Sequence, residues 1–157
     1  MSRFKELGEY KNKIMMCLLS NQNIVKALTY NTPDFSTKPD VDDPSSLIYN
    51  NIFPYKNIPL TQNEQKTFIT MCFSDYRKTG RSFKIGYIDF YIFTHFNLMP
   101  TDLGILRTDY ILSEIDDLFN EYTDLGIGRL MFDKMNEFQI NEYFSGYIIS
   151  YKDTSYN

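Results

Sequence analysis

The sequence predicts an α+β domain: a mixed or antiparallel sheet of about four strands, in helix, hairpin, helix, hairpin order, with helices packed on one face and an extra helical segment at the amino terminus. Three observations predict it. Apolar residues recur at helical spacing in two separate stretches, Phe4 to Leu18 and Ile111 to Tyr122. After each of these stretches the period falls to two, in Phe68 to Asp75, Phe83 to His95 and Tyr143 to Asp153. Pro, Gly and Asp collect between the periodic stretches, where the chain has to turn. The 157 residues read as one domain, with amino-terminal helices over 1–31, an acidic Pro/Asp loop over 32–44 and the α+β core over 45–157. A chain of 18.6 kDa buries roughly 69% of the surface its unfolded form exposes, so it needs no staples.

The first helix is expected over Arg3 to Leu19, where Phe4, Leu7, Lys11, Ile14 and Leu18 fall on one line. Ser20, Asn21 and Asn23 interrupt it, and Asn21 or Asn23 caps a second short helix carrying Ile24, Val25 and Leu28. From Tyr30 to Pro44 the apolar pattern stops, and Pro33, Pro39 and Pro44 alternate with Asp34, Asp40, Asp42 and Asp43. Such a segment has little to bury, so Thr32 to Asp43 is expected to order only on assembly. Asp43 followed by Pro44 supplies an N-cap and a first helical residue for a helix over Ser45 to Asn51, and Pro54 and Pro59 end regular structure beyond it.

Phe68, Thr70, Cys72 and Ser74 alternate with Ile69, Met71, Phe73 and Asp75 in the first long strand. Tyr76 to Ser82, with Gly80 inside, is expected as a polar turn into the second strand, Phe83 to His95. On that strand Ile88, Phe90 and Ile92 share one face and Tyr87, Asp89, Tyr91 and Phe93 the other, so both faces meet protein. Met99 to Gly104 turns the chain into a helix that places Ile111, Ile115, Leu118, Phe119 and Tyr122 inward. Its Glu114, Asp116, Asp117 and Glu121 are expected as a solvated acidic stripe. Strands over Ile127 to Met135 and Tyr143 to Asp153 close the domain.

Composition narrows the function. With 16 Lys and Arg against 20 Asp and Glu, the formal charge is −4 and the pI about 5.0, which argues against nucleic acid as the main partner. No apolar run reaches the length of a membrane span. Cys17 and Cys72 follow no CxxC pattern and no signal peptide precedes them, so a reducing compartment is expected. Thirteen Phe and 13 Tyr make the chain 17% aromatic, and tyrosine is enriched at protein interfaces.

Enzyme chemistry is poorly supplied. His95 is the one histidine, with no second His or Cys beside it for zinc and no GxSxG elbow for a nucleophile, so it reads as a structural residue at a strand end. Asp116 and Asp117 point about 100° apart on a helix and do not converge as an acid and base pair. The carboxylates of the Pro/Asp loop lack the frame of an EF-hand. Gly126 and Gly128 belong to no GxGxxG or GxxxxGK[ST] motif. No catalytic residue, cofactor site or metal site is expected.

Arg77, Lys78 and Arg81 form the local basic cluster, at the hairpin tip. A charged tip either blunts a sheet edge or contacts an acidic patch on a neighbouring subunit or partner. With the tyrosines Tyr76, Tyr87, Tyr91, Tyr147 and Tyr151 it makes up the expected interface set.

Four segments carry a resemblance: Asn51 to Pro59 (NIFPYKNIP), Phe90 to His95 (FYIFTH), Arg107 to Tyr110 (RTDY) and Gly126 to Leu130 (GIGRL). They resemble small neck and tail-completion proteins of tailed bacteriophages infecting low-GC Gram-positive hosts. The bias toward 16 Ile, 13 Asn and 11 Lys over 2 Val, 1 Ala and 5 Arg suits an AT-rich genome. More broadly the chain is similar, over Ser45 to Asp153, to the tail terminator family of long-tailed phages of the lambda type. The resemblance implies a structural virion protein and no enzyme. It implies a homo-oligomeric ring, commonly a hexamer, at the neck of the virion, assembled in the host cytoplasm. Its implied partners are the tail tube protein and the head connector or stopper protein, with DNA passing through the lumen without sequence-specific contact, and no membrane. The alternative is a small phage-encoded or bacterial module that binds a host protein inside the cell.

Overall fold

A computed structural model of the chain describes residues 4–59, 64–79, 83–123 and 129–154. Three helices, α1 (Phe4–Ser20), α2 (Gln22–Thr29) and α3 (Arg107–Phe119), pack on one side of a five-stranded mixed sheet. Its strands are β1 (Ile52–Phe53), β2 (Thr67–Thr79), β3 (Phe83–His95), β4 (Arg129–Gln139) and β5 (Phe144–Thr154), in the order β1-β2-β3-β5-β4. The four long strands pair antiparallel, as expected from the two alternating hairpins. β1 adds a fifth, parallel strand of two residues, too short to leave an alternation, which runs into Pro54.

The buried stripe of α1 is Tyr10, Ile14, Met15, Leu18 and Leu19, while Phe4, at 57% exposure, lies outside it. Asn21 caps α2, its side-chain oxygen accepting the Ile24 N–H at 3.1 Å. α3 buries Ile111, Ile115 and Phe119, and Phe119 stacks on Phe90 of β3 at 4.9 Å between ring centres. The helix stops short of Tyr122 because Glu121 takes a left-handed φ of 66°. From there its N–H donates to the Leu130 carbonyl at 2.7 Å, and the Leu130 N–H donates to the Tyr122 carbonyl at 3.0 Å. The end of α3 is thereby stitched to the start of β4.

Several expectations need correction. The helix over Ser45 to Asn51 is a single 3-10 turn, Pro44–Leu47. The Asp43 carboxylate accepts the Ser45 hydroxyl instead of capping the backbone, and Tyr49 at φ 63° ends any helix. The Pro/Asp loop is packed in the isolated chain rather than waiting for assembly. Phe35 within it is fully buried and meets the edge of the Tyr110 ring at 5.1 Å. Gln22 bonds Val41 through both its amide groups, and Lys26 pairs with Asp40 at 3.1 Å. One phenylalanine and a few side-chain bonds suffice where no periodicity is visible.

The expected turn over Tyr76 to Ser82 also starts too early. β2 continues to Thr79, with a bulge between Ser74 and Arg77 where Asp75 adopts φ 51°. Residues 80–82, the tip itself with Gly80 and Arg81, lie outside the described residues, as do Gly126 and Gly128. β4 runs four residues beyond Met135, to Gln139.

The two sheet faces are unequal. Ile69, Met71, Ile88, Phe90, Ile92, Ile149 and Tyr151 join α1, α2 and α3 in one continuous core. On the opposite face Phe53, Phe68, Phe93 and Phe144 form a smaller cluster at the His95 end. Gly146 allows this close packing: a Cβ there would meet the Ile92 carbonyl oxygen at 1.8 Å.

Candidate interaction surface

On the helix side, tyrosines from the sheet reach carboxylates. Tyr151 donates to Asp116 at 2.7 Å, Tyr147 donates to Asp109, and Tyr76 donates to Asp153 at 2.8 Å. Burial, followed by the Asp116 bond and charge, holds the Tyr151 hydroxyl far above the usual tyrosine range. Burial and Asp153 do the same to Tyr76. For Tyr147 the Asp109 bond is the leading cause of the upward shift. These hydroxyls are donors that fasten strands to α3 and to each other.

Two expectations change as a result. Tyr151 is fully buried, so it is a core residue of the protomer and offers no surface to a partner. The acidic stripe of α3 is not uniformly solvated. Glu114 is half-buried and accepts from Asn21 at 3.2 Å and Asn23 at 3.1 Å, which ties α3 to the start of α2. Asp116 is held by Tyr151, whereas Asp117 and Glu121 are exposed. A mixed polar face was visible in the sequence, but its partners, roughly 35 and 90 residues distant, were not.

On the other face, away from the helices, Tyr87 and Tyr91 lie half-buried beside Ser150, Lys152, Lys134 and Asp89 along a groove of about 590 Å³. Arg77 lines its upper end. Lys78 is exposed next to it, and Arg81 falls outside the described residues. The interface set therefore divides: Tyr87, Tyr91 and Arg77 share the face away from the helices, while Tyr76, Tyr147 and Tyr151 serve the helix side. Within this face Ser150 donates to Asp89 at 2.6 Å. Burial and then the Asp89 charge raise the Cys72 thiol, which opposes Asp89 across β2 and β3.

Both lateral edges of the sheet are open over much of their length. Among the described residues β1 pairs with Ile69 and Thr70 of β2, leaving Met71 to Thr79 without a neighbouring strand. On the far edge, residues 120–122 close off the first part of β4. The Asn120 side chain accepts the Phe132 N–H at 3.0 Å, next to the two Leu130 bonds. From Lys134 to Gln139 no strand adjoins β4 on the side away from β5 among the described residues. Met131, Phe132 and Met135 are 36–49% exposed on this strand.

Arg107, absent from the expected set, bonds four carbonyls at once. It is 1% exposed and donates to the carbonyls of Leu98, Ala27, Tyr30 and Thr32 at 2.7–3.0 Å, with its guanidinium 4.5 Å from the Phe35 ring centre. The last carbonyls of a helix lack partners, and a cation there also suits the helix dipole. Arg107 thus caps the end of α2 and pins the Pro/Asp loop. Burial lowers its pKa to about 10, which leaves it charged at neutral pH. The structural role of His95 is smaller. Its Nδ1 accepts the Asn97 N–H at 3.1 Å, and its ring stacks on Phe96 at 4.6 Å.

Among the described residues no group of three His, Cys, Asp or Glu side chains is placed to hold a metal, and no helix is long and apolar enough to cross a membrane. A model of the family described as YomW matches residues 21–152. No match is found among characterised proteins or among solved structures.

Proposed function

The chain belongs to the YomW family, a phage-associated one, and from that premise we propose that it is a structural virion protein that completes the tail of a phage and joins it to the head. On this reading copies of the chain form a ring, six-fold in keeping with the resemblance, between the tail tube protein and the head connector. The observation that carries the proposal is a sheet open at both lateral edges. A ring requires two different patches on each subunit, and the two edges of one sheet are such a pair. The groove on the face away from the helices, with Tyr87, Tyr91 and Arg77, is a further surface of the amphipathic kind that interfaces use.

The test is to locate the protein in virions. Antibody labelling of purified phage particles should decorate the head–tail junction, and the protein should co-purify with particles in a fixed ratio to the tail tube protein. Absence from particles, together with capture of a single host protein from infected cells, would replace this reading with that of a host-binding module.

A further inference from the structure

The two open edges of the sheet carry opposite charge. Beside the open stretch of β2 lie Lys11, Arg77 and Lys78, with Asp75 the carboxylate on that stretch. Lys11 reaches it from α1, its ammonium 5.4 Å from the ring centre of Phe73. Beside β4 lie Asp117, Glu121, Asp133 and Glu137, against Arg129 and Lys134, and Arg129 is already paired with Glu121 at 2.8 Å. Between α3 and β4 a groove of about 390 Å³, lined by Leu112, Asn120, Phe132, Met135 and Ile149, adds an apolar centre to the acidic side.

We propose that copies of this chain associate head to tail, the basic β2 edge of one protomer seating against the acidic α3–β4 edge of the next. This deepens the ring reading and rests on it. The topology suits the pairing. β2 and β4 run in opposite directions within the sheet, so β4 of one copy meets β2 of the next antiparallel, with the helix sides of both facing the same way. Pairing of like edges is disfavoured, because β2 against β2 opposes Arg77 and Lys78 to themselves, and β4 against β4 opposes the carboxylates. The bulge at Asp75 and the Asn120 cap on Phe132 interrupt a continuous ladder. The seam is therefore held by side chains and charge as well as by main-chain bonds, and it weakens with salt.

Two charge-reversed variants test it. Arg77→Glu with Lys78→Glu makes both edges acidic, and Asp117→Lys with Glu137→Lys makes both basic; circular dichroism checks that each is folded. Sedimentation velocity of the wild type up to millimolar concentration should show oligomers that dissociate on raising NaCl from 50 to 500 mM. Each variant alone should associate at least tenfold more weakly, and an equimolar mixture should recover association, because an acidic edge then always finds a basic one. Variants that assemble like the wild type, or a mixture that recovers nothing, would overturn the seam while leaving the ring reading standing. A wild type that stays monomeric at every concentration, with or without tail tubes, would overturn both.

Discussion

Replacing Arg107 by methionine keeps most of the buried volume and removes every hydrogen bond its guanidinium makes. Four carbonyls lose a donor, those of Leu98, Ala27, Tyr30 and Thr32. Leu98 and Ala27 accept in a fully buried setting, so each is stranded at about 1–3 kcal/mol, whereas water can reach Tyr30 and Thr32. Loss of the guanidinium from the Phe35 ring adds about 1–2 kcal/mol, and relief from burying a charge offsets part of the total. The net expectation is about 4 kcal/mol. For a domain of this size that lowers the melting temperature by roughly 8–16 °C. Thermal melts followed by circular dichroism measure it. Because Arg107 also holds the Pro/Asp loop, chymotrypsin should cut after Phe35, fully buried in the fold, in the variant well before it does in the wild type. Arg107→Lys, with one compact ammonium in place of a fork, should fall between the two. A drop below about 1 kcal/mol in Arg107→Met, with unchanged proteolysis, would refute the assignment of Arg107 as the clamp on α2 and the loop.

Other consequences follow from the same contacts. Tyr76 and Tyr151 keep their protons in the fold at pH values where the unfolded chain, with tyrosines at about 10, has lost them. Their contribution is present below pH 10 and is lost as pH rises, by roughly 3 kcal/mol per unit for the two together. Urea melts at pH 9, 10 and 11 should reveal a steeper loss in the wild type than in Tyr76→Phe with Tyr151→Phe, and equal slopes would contradict the bonding scheme. Gly146→Ala places a methyl against the Ile92 carbonyl, and the expected result is a loss of several kcal/mol or an insoluble product. Retention of wild-type stability in chemical denaturation would mean that β3 and β5 can separate without cost. Asn21→Ala removes both the α2 cap and the bond to Glu114, for about 2 kcal/mol. Asn21→Asp should restore the cap and bring a like charge to Glu114, so it should recover only part of that loss in urea melts.

How much of this was legible in the sequence depends on the range of the interaction. Period-two alternation marked three of the four long strands, and the Asn21 cap and the α3 stripe announced themselves within a few residues. Elements set by distant partners did not. The 3-10 turn at Pro44–Leu47 and the order of the Pro/Asp loop depend on Phe35, Gln22 and Arg107, none of which belongs to a local pattern. The bulge at Asp75 is one left-handed residue inside an otherwise regular strand, so polar Tyr76 to Thr79 looked like a turn. Tyr147 and Tyr151 alternate on β5 as an interface tyrosine would, yet that face of β5 is the one α3 covers. Sequence alternation gives the face and not what lies over it. Arg107 is a single charged residue at a helix start, a place where acidic residues are the favourable ones, and its value lies in carbonyls more than 70 residues away.

The central claim is that this chain builds a ring on a phage tail. The most direct measurement is the molar mass of the purified protein by light scattering after size exclusion, alone and again with tail tubes of the phage that encodes it. The account predicts either a closed oligomer or a monomer that becomes a ring in fixed ratio on the tube end. A monomer that ignores tubes at every concentration would contradict it.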